Sequence, residues 1–326
     1  MSPKRTAVRD RLKDFQSKWA SSDPVVIQRS VQEALSDRHY LIVKHAALRC
    51  EQHLLYDLEA DLLAAYRRLL KNPVKSDPHC TAKGAIARTL VALDCQEIDF
   101  FIAGLHYQQH EPVWGGTEDS AVDLRASCAI GLVNTSYPRA LIELVTLLHD
   151  PYSGARKAAV RAISFTQPLA AEAVLRAKAL AGDSDPDITG ETLSALLQVA
   201  PSESLEFVAG FLDASDDPAL RESIALALGA SKIDEALQVL RMCWDKEPLK
   251  REQDVLLLGA VLHRSEKALA WLLEVVSEGD RVSAKFVLEQ LATHYRTNEK
   301  LGERLQTTLA ERQDKELTAF FQKIWR

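Results

Sequence analysis

The sequence predicts an all-α protein: a right-handed α-solenoid of about eight to nine stacked helical hairpins in a single array. Three observations lead there. Only 13 glycines and 12 prolines are spread over 326 residues, and a chain with few breakers favours helix. Apolar side chains recur at helical spacing, as in Leu141, Leu144, Val145 and Leu148 or Leu220, Ile224, Ala227 and Leu228. Junctions, all but one of them an aspartate, also recur on a beat. Asp37, Asp77, Asp119, Asp150, Asp185, Asp217, Pro248, Asp280 and Asp314 are separated by 40, 42, 31, 35, 32, 31, 32 and 34 residues, close to the period of helical-hairpin arrays.

The elements follow in chain order. A charged helix from Arg5 to Trp19 makes 1–22 an N-terminal cap. Asp-Pro then opens helical runs at Asp23, Asp77, Asp150, Asp185 and Asp217. Aspartate can accept a hydrogen bond from an unpaired N–H at a helix start, and proline fits the first turn, where its missing N–H costs nothing. Each unit reads as an A helix, a short turn and an alanine-rich B helix whose small residues allow close approach. A lone hairpin cannot bury both apolar stripes, whereas stacking buries them against neighbours. The last helix, "DKELTAFFQKIW", places Phe320, Phe321, Ile324 and Trp325 where they can close the core, so 296–326 reads as a C-terminal capping hairpin. No linker interrupts the chain, and 1–326 is expected to form one continuous domain.

"DPALRESIALALG" and "DPYSGARKAAVRAI" carry an Asp-Pro turn, an arginine and a small apolar B helix. In this the chain resembles HEAT repeats, from about Pro24 to Tyr295. The resemblance implies the solenoid and says little about function.

Composition narrows the function classes. The net charge is −6, which argues against a dedicated nucleic-acid binder. The charge is uneven: residues 1–160 carry +1 and 161–326 carry −7, so a basic face in the N-terminal half remains possible. The five cysteines are odd in number and have no Cys-x-x-Cys spacing, as expected for buried thiols in a reducing compartment. The start "MSPKRTAVRDRLKDF" has no apolar signal region, and no apolar run approaches the roughly 20 residues that span a membrane. A cytoplasmic protein without membrane contact is expected.

Catalytic motifs are not legible. There is no G-x-S-x-G, no phosphate-binding loop and no dinucleotide fingerprint. Asp183, Asp185 and Asp187 open like a calcium loop, but Ile188 and Ser194 occupy the places of its glycine and glutamate. His106 and His110 would share one face if their helix continued, without the glutamate pattern of a zinc protease. Neither a metal nor a cofactor is expected.

Two features remain. The first is a set of cations. Lys83, Arg125 and Arg156 each follow a junction aspartate by six residues, Lys44 follows by seven, and Glu191 breaks the series. They could track a phosphate backbone on the concave face or pair with turn aspartates across the stack. The second is "QQHEPVWGGTEDSAVDLR", residues 108–125. Its second half starts a B helix, but Gln108 to Thr117 is a longer connection than the repeat needs. Trp114 supplies a broad aromatic face, and Gly115-Gly116 lets the backbone turn sharply. Trp114 would either cover a seam between repeats or stand over the groove beside Arg125 and Arg156.

The reading that follows is a non-enzymatic interaction scaffold. It would hold a protein or peptide on its concave B-helix face through Trp114, Gly115, Gly116, Lys83, Arg125 and Arg156. The alternative is a DNA-binding enzyme similar to the HEAT-like alkylpurine DNA glycosylases, with Trp114, Asp119, Arg125 and Arg156 matching by residue type. Bilin lyases of phycobiliproteins also use HEAT-like repeats, but no residue here singles them out.

Overall fold

The computed structural model describes residues 11–13, 15, 17 and 23–325. These fold into two compact units, divided between Thr166 and Gln167. The first contains α1 (Pro24–Leu35), α2 (Tyr40–His53), α3 (Glu59–Leu69), the single turn α4 (Pro73–Ser76), α5 (Thr81–Ala92), α6 (Ile98–Leu105), α7 (Val122–Asn134), α8 (Ala140–Leu147) and α9 (Ser153–Ile163). The second contains α10 (Pro168–Ala181), α11 (Pro186–Val199), α12 (Pro201–Ala214), α13 (Pro218–Ser231), α14 (Asp234–Lys246), α15 (Lys250–His263), α16 (Glu266–Glu278), α17 (Arg281–Tyr295), α18 (Glu299–Arg312) and α19 (Lys315–Ile324). Each unit is a solenoid stack of helical hairpins, and the protein is all-α but for one small β-hairpin.

A B helix follows each junction: α2, α5, α7 and α9 in the first unit, then α11, α13, α15, α17 and α19 in the second. From α2 to α9 and from α11 to α15, successive B helices within a unit pack on each other more extensively than successive A helices do. Small residues make this possible. A Cβ on Gly229 would lie 2.0 Å from the Gly259 carbonyl oxygen, so α13 and α15 meet backbone to backbone.

Junction chemistry differs between the units. The carboxylates of Asp185, Asp217, Asp280 and Asp314 accept hydrogen bonds from the first turn of the helix directly behind them. In the first unit the B helix starts three or four residues after the junction. Asp77 reaches forward to the N–H groups of Ala82 and Lys83, across a turn in which His79 and Cys80 take left-handed φ of 60° and 50°.

The N-terminal cap expected over 1–22 lies outside the described residues except for 11–13, 15 and 17, which are helical. There Phe15 is buried and Arg11 holds Asp37 through two contacts of 3.0 and 2.7 Å. At the C-terminus Phe321 is buried and packs on Trp325 with ring centroids 5.3 Å apart.

The connection at 108–119 is not a loop. His110–Val113 (β1) and Gly116–Asp119 (β2) form an antiparallel hairpin in which His110 faces Asp119 and Val113 faces Gly116. Gly115 turns the chain with φ of +91°, a conformation L side chains rarely adopt.

Candidate functional site

A groove crosses the B-helix layer of the first unit. One part, about 610 Å³, is lined by residues of α2, α5 and α7 together with the turn at His79 and Cys80. A second part, about 360 Å³, extends over α7 and α9 and shares Arg88, Ala126 and Ser127 with the first. The lining follows the repeat. Counted from the junction aspartates, the seventh positions are Lys44, Gly84, Ala126 and Lys157, and the eleventh are Leu48, Arg88, Ile130 and Arg161. Two positions four residues apart share a helix face, and the junction beat repeats that face from helix to helix. The floor is small (Gly84, Ala85, Ala126, Ser127, Gly154, Ala158). Four of the lining side chains are cationic, Lys44, Arg88, Lys157 and Arg161, against the one carboxylate Asp123.

One residue earlier on each helix the side chains turn inward. Lys83, Arg125 and Arg156 are all buried, and their charges meet turn groups inside the stack. Lys83 Nζ lies 3.0 Å from Asp77. Arg125 pairs with Asp119 of its own repeat and, at 2.8 Å, with Asp150 of the next. Arg156 donates to the carbonyls of Asp150 and Pro151 at 2.9 and 3.1 Å. None of the three lines the groove. Thus Lys83, Arg125 and Arg156 sit beneath the groove, while Lys44 and Lys157 face it. The series resumes in the second unit when counted from the helix start. Arg221 is the fourth residue of α13, as Arg125 is of α7 and Arg156 of α9, and it contacts Glu247 at 2.8 Å and Glu252 at 3.2 Å.

The hairpin stands at the groove's edge, where β2 runs into Ser120, a lining residue. Its base is fastened by buried polar groups. Glu111 accepts from the His79 N–H at 2.6 Å, from Ser120 Oγ at 2.7 Å and from Gln109 at 2.7 Å. Asp119 accepts from the N–H groups of Gln109 and Ala121 at 2.8 and 3.0 Å, and the Tyr152 hydroxyl accepts from the Asp119 N–H at 2.8 Å. Burial pushes the Glu111 carboxyl up, but the hydrogen bonds from Ser120, Gln109 and His79 outweigh it and hold it below its ordinary value. Asp119 is likewise raised by burial and more strongly lowered by those N–H groups and Arg125. At the tip, Trp114 has 103% relative exposure. It fills no seam between repeats.

The remaining candidates separate. The helix before the hairpin ends at Leu105, so His106 and His110 do not share a helical face. His106 pairs with Glu143 at 2.8 Å and His110 contacts Gln108 at 3.3 Å. Asp185 caps α11, and Asp183 binds Lys178 at 2.7 Å. Among the described residues no group of three or more His, Cys, Asp or Glu side chains could hold a metal ion. No helix among them is long and apolar enough to cross a membrane.

Residues 173–256 match the family model for HEAT repeats. Over that stretch the chain is similar to HEAT repeats. The match falls in the second unit, where aspartate stands directly at the helix start. The first unit, with its displaced junctions and hairpin insertion, departs from that spacing. None of the curated proteins matches the sequence. Among solved structures, the complex of CpcE and CpcF of phycocyanin lyase from Nostoc sp. PCC7120 is similar at 16% identity, over 75% of this chain and 92% of that one, with a TM-score of 0.37.

The cysteines within these repeats are poor nucleophiles. Burial pushes the Cys80 thiol up to about 12 and the Cys50 thiol up to about 11, and raises Cys128 as well. A thiolate, the reactive form, is scarce at such values near neutral pH.

Proposed function

We propose that this protein is a non-enzymatic scaffold that holds a protein or peptide segment in the B-helix groove of its first unit. The observation that carries this reading is the groove itself: a small-residue floor repeated across three helices, with cations along its walls. Small residues let a partner's backbone approach closely, and the walls can fix its polar groups. Trp114 serves as an aromatic anchor beside the groove, of the kind that concentrates binding energy at interfaces. Gly115 and Gly116 give the tip its turn. Lys83, Arg125 and Arg156 contribute from within, by fixing the helices that form the floor. The enzyme reading is weaker, because it needs Asp119, Arg125 and Arg156 to face a ligand. The unpaired, mostly buried cysteines fit a reducing compartment such as the cytoplasm.

Random peptides displayed on phage and selected on the full chain test the proposal. Gly84 is the position to alter, because a Cβ there meets nothing closer than 3.9 Å. Gly84→Leu therefore folds at least as stably, gaining up to about 1 kcal/mol of helix propensity, while its side chain blocks the groove. Selected peptides are expected to lose binding to Gly84→Leu and to bind Trp114→Ala several-fold more weakly. Peptides that bind both variants as well as the parent overturn the reading.

A further inference from the structure

We propose that the segment held in the groove is acidic, with carboxylates engaging Lys44 and Arg88. This rests on the scaffold reading above and adds the partner's chemistry. Lys44 reaches the groove from α2 and Arg88 from α5, and both line the larger cavity. The buried Lys83 and Arg125 are neutralised by turn aspartates, whereas among the described residues Lys44 makes no ion pair. Arg88 is 58% exposed and meets Glu51 through its Nε alone, at 3.0 Å. Its terminal nitrogens make no hydrogen bond or ion pair among the described residues. Guanidinium groups with an open edge match carboxylates bidentately.

The rest of the lining is compatible with the same ligand. His79, at the mouth, has a largely exposed side chain 3.9 Å from Glu111, and Thr81, Ser120 and Ser127 add hydroxyls. Asp123 is the sole carboxylate of the lining, and it would repel an acidic segment that strays toward α7, so it sets the register toward α2 and α5. A nucleic-acid backbone fits less well. It carries a charge every ~1.7 Å of duplex and binds by releasing many counterions. Two open cations with a carboxylate beside them, on a chain of net charge −6, suit a short acidic peptide better.

The test uses two peptide display libraries that differ only in fixed positions, Glu and Asp in one and Gln and Asn in the other, selected on the full chain at low salt. Duplex DNA and the unliganded chain's own self-association, followed by light scattering, run beside them. The expected result is at least tenfold enrichment of the acidic library. The binding should weaken about tenfold or more in K44E/R88E and fall with added salt, as steering by exposed charges does. Unchanged circular dichroism and melting of K44E/R88E separate lost binding from lost folding. Equal enrichment of both libraries, with binding still abolished by Gly84→Leu, overturns the acidic inference and leaves the scaffold reading standing. Tighter binding of duplex DNA, or occupation of the groove by a second copy, also overturns it. Enrichment of neither library overturns the scaffold reading itself.

Discussion

Arg125 is a charged side chain with almost no contact with water, and its surroundings explain how that is tolerated. Asp119, Asp150 and the Tyr107 carbonyl surround its guanidinium, and the Tyr152 ring lies 6.0 Å away. Removing such a group strands two carboxylates, and breaking a buried pair costs about 3–5 kcal/mol. Arg125→Ala is thus expected to lower the melting temperature sharply in circular dichroism, and Arg125→Lys, which cannot span both aspartates, to recover only part of the loss. A different residue tests packing. Gly229→Ala puts a methyl group into the Gly259 backbone, and overpacking of this kind costs about 1–3 kcal/mol. Trp114→Ala, by contrast, should leave thermal stability unchanged, because its side chain is wholly in solvent.

At the scale of elements, the β-hairpin depends on two ionised carboxylates. Both Glu111 and Asp119 have depressed pKa values in the folded protein. Their stabilisation is complete above the ordinary values of 4.5 and 3.8 and is lost as pH falls through the lower folded-state values. Amide exchange at 110–119, measured from pH 6 downward, should stay protected to about pH 4.5 and then lose protection before the helices do. Glu111→Gln should remove the acid dependence that Glu111 contributes. The same element marks what sequence could not disclose. Strands announce themselves by alternating apolar and polar residues, but here the buried positions are Glu111 and Asp119, both acidic and on opposite faces of the hairpin, so no alternation is visible. Gly115-Gly116 was the remaining signal of a tight turn. The helices, in contrast, were legible because their apolar period and their caps agree. The cations were legible as a series but not in orientation. One residue is 100° of helix, enough to separate Lys83, Arg125 and Arg156 inside from Lys44 and Lys157 in the groove.

For the whole molecule, stability in a stacked array is a sum of repeat and nearest-neighbour terms. A lesion at Arg125 should therefore lower exchange protection mainly in α6 to α9 and leave α13 to α18 unchanged, which hydrogen exchange with peptide-level resolution can check. The repeat beat was readable along the full chain because each junction needs a capping aspartate or its equivalent. The displacement of those junctions in the first unit was not readable, since nothing in an Asp-Pro pair states whether the helix begins at once or three residues later. That displacement is why a count from the aspartate meets Glu191 where a count from the helix start meets Thr189, and why the former passes over Arg221.

The cross-repeat ion pairs have a consequence for how such a chain can change. Arg125 reaches forward to Asp150, Arg221 to Glu247 and Glu252, Lys250 to Asp280 and Arg281 to Asp314. Each of these repeats holds half of a lock whose other half belongs to its successor. Helical-hairpin arrays are often regarded as modular, free to gain or lose a unit by duplication or deletion. In this chain the exposed pairs would tolerate such shuffling, but a unit removed between Arg125 and Asp150 would leave a buried guanidinium facing a stranger. The repeats that carry Arg125 and Asp150 are therefore expected to stay adjacent, and length variation among related chains should concentrate away from that junction.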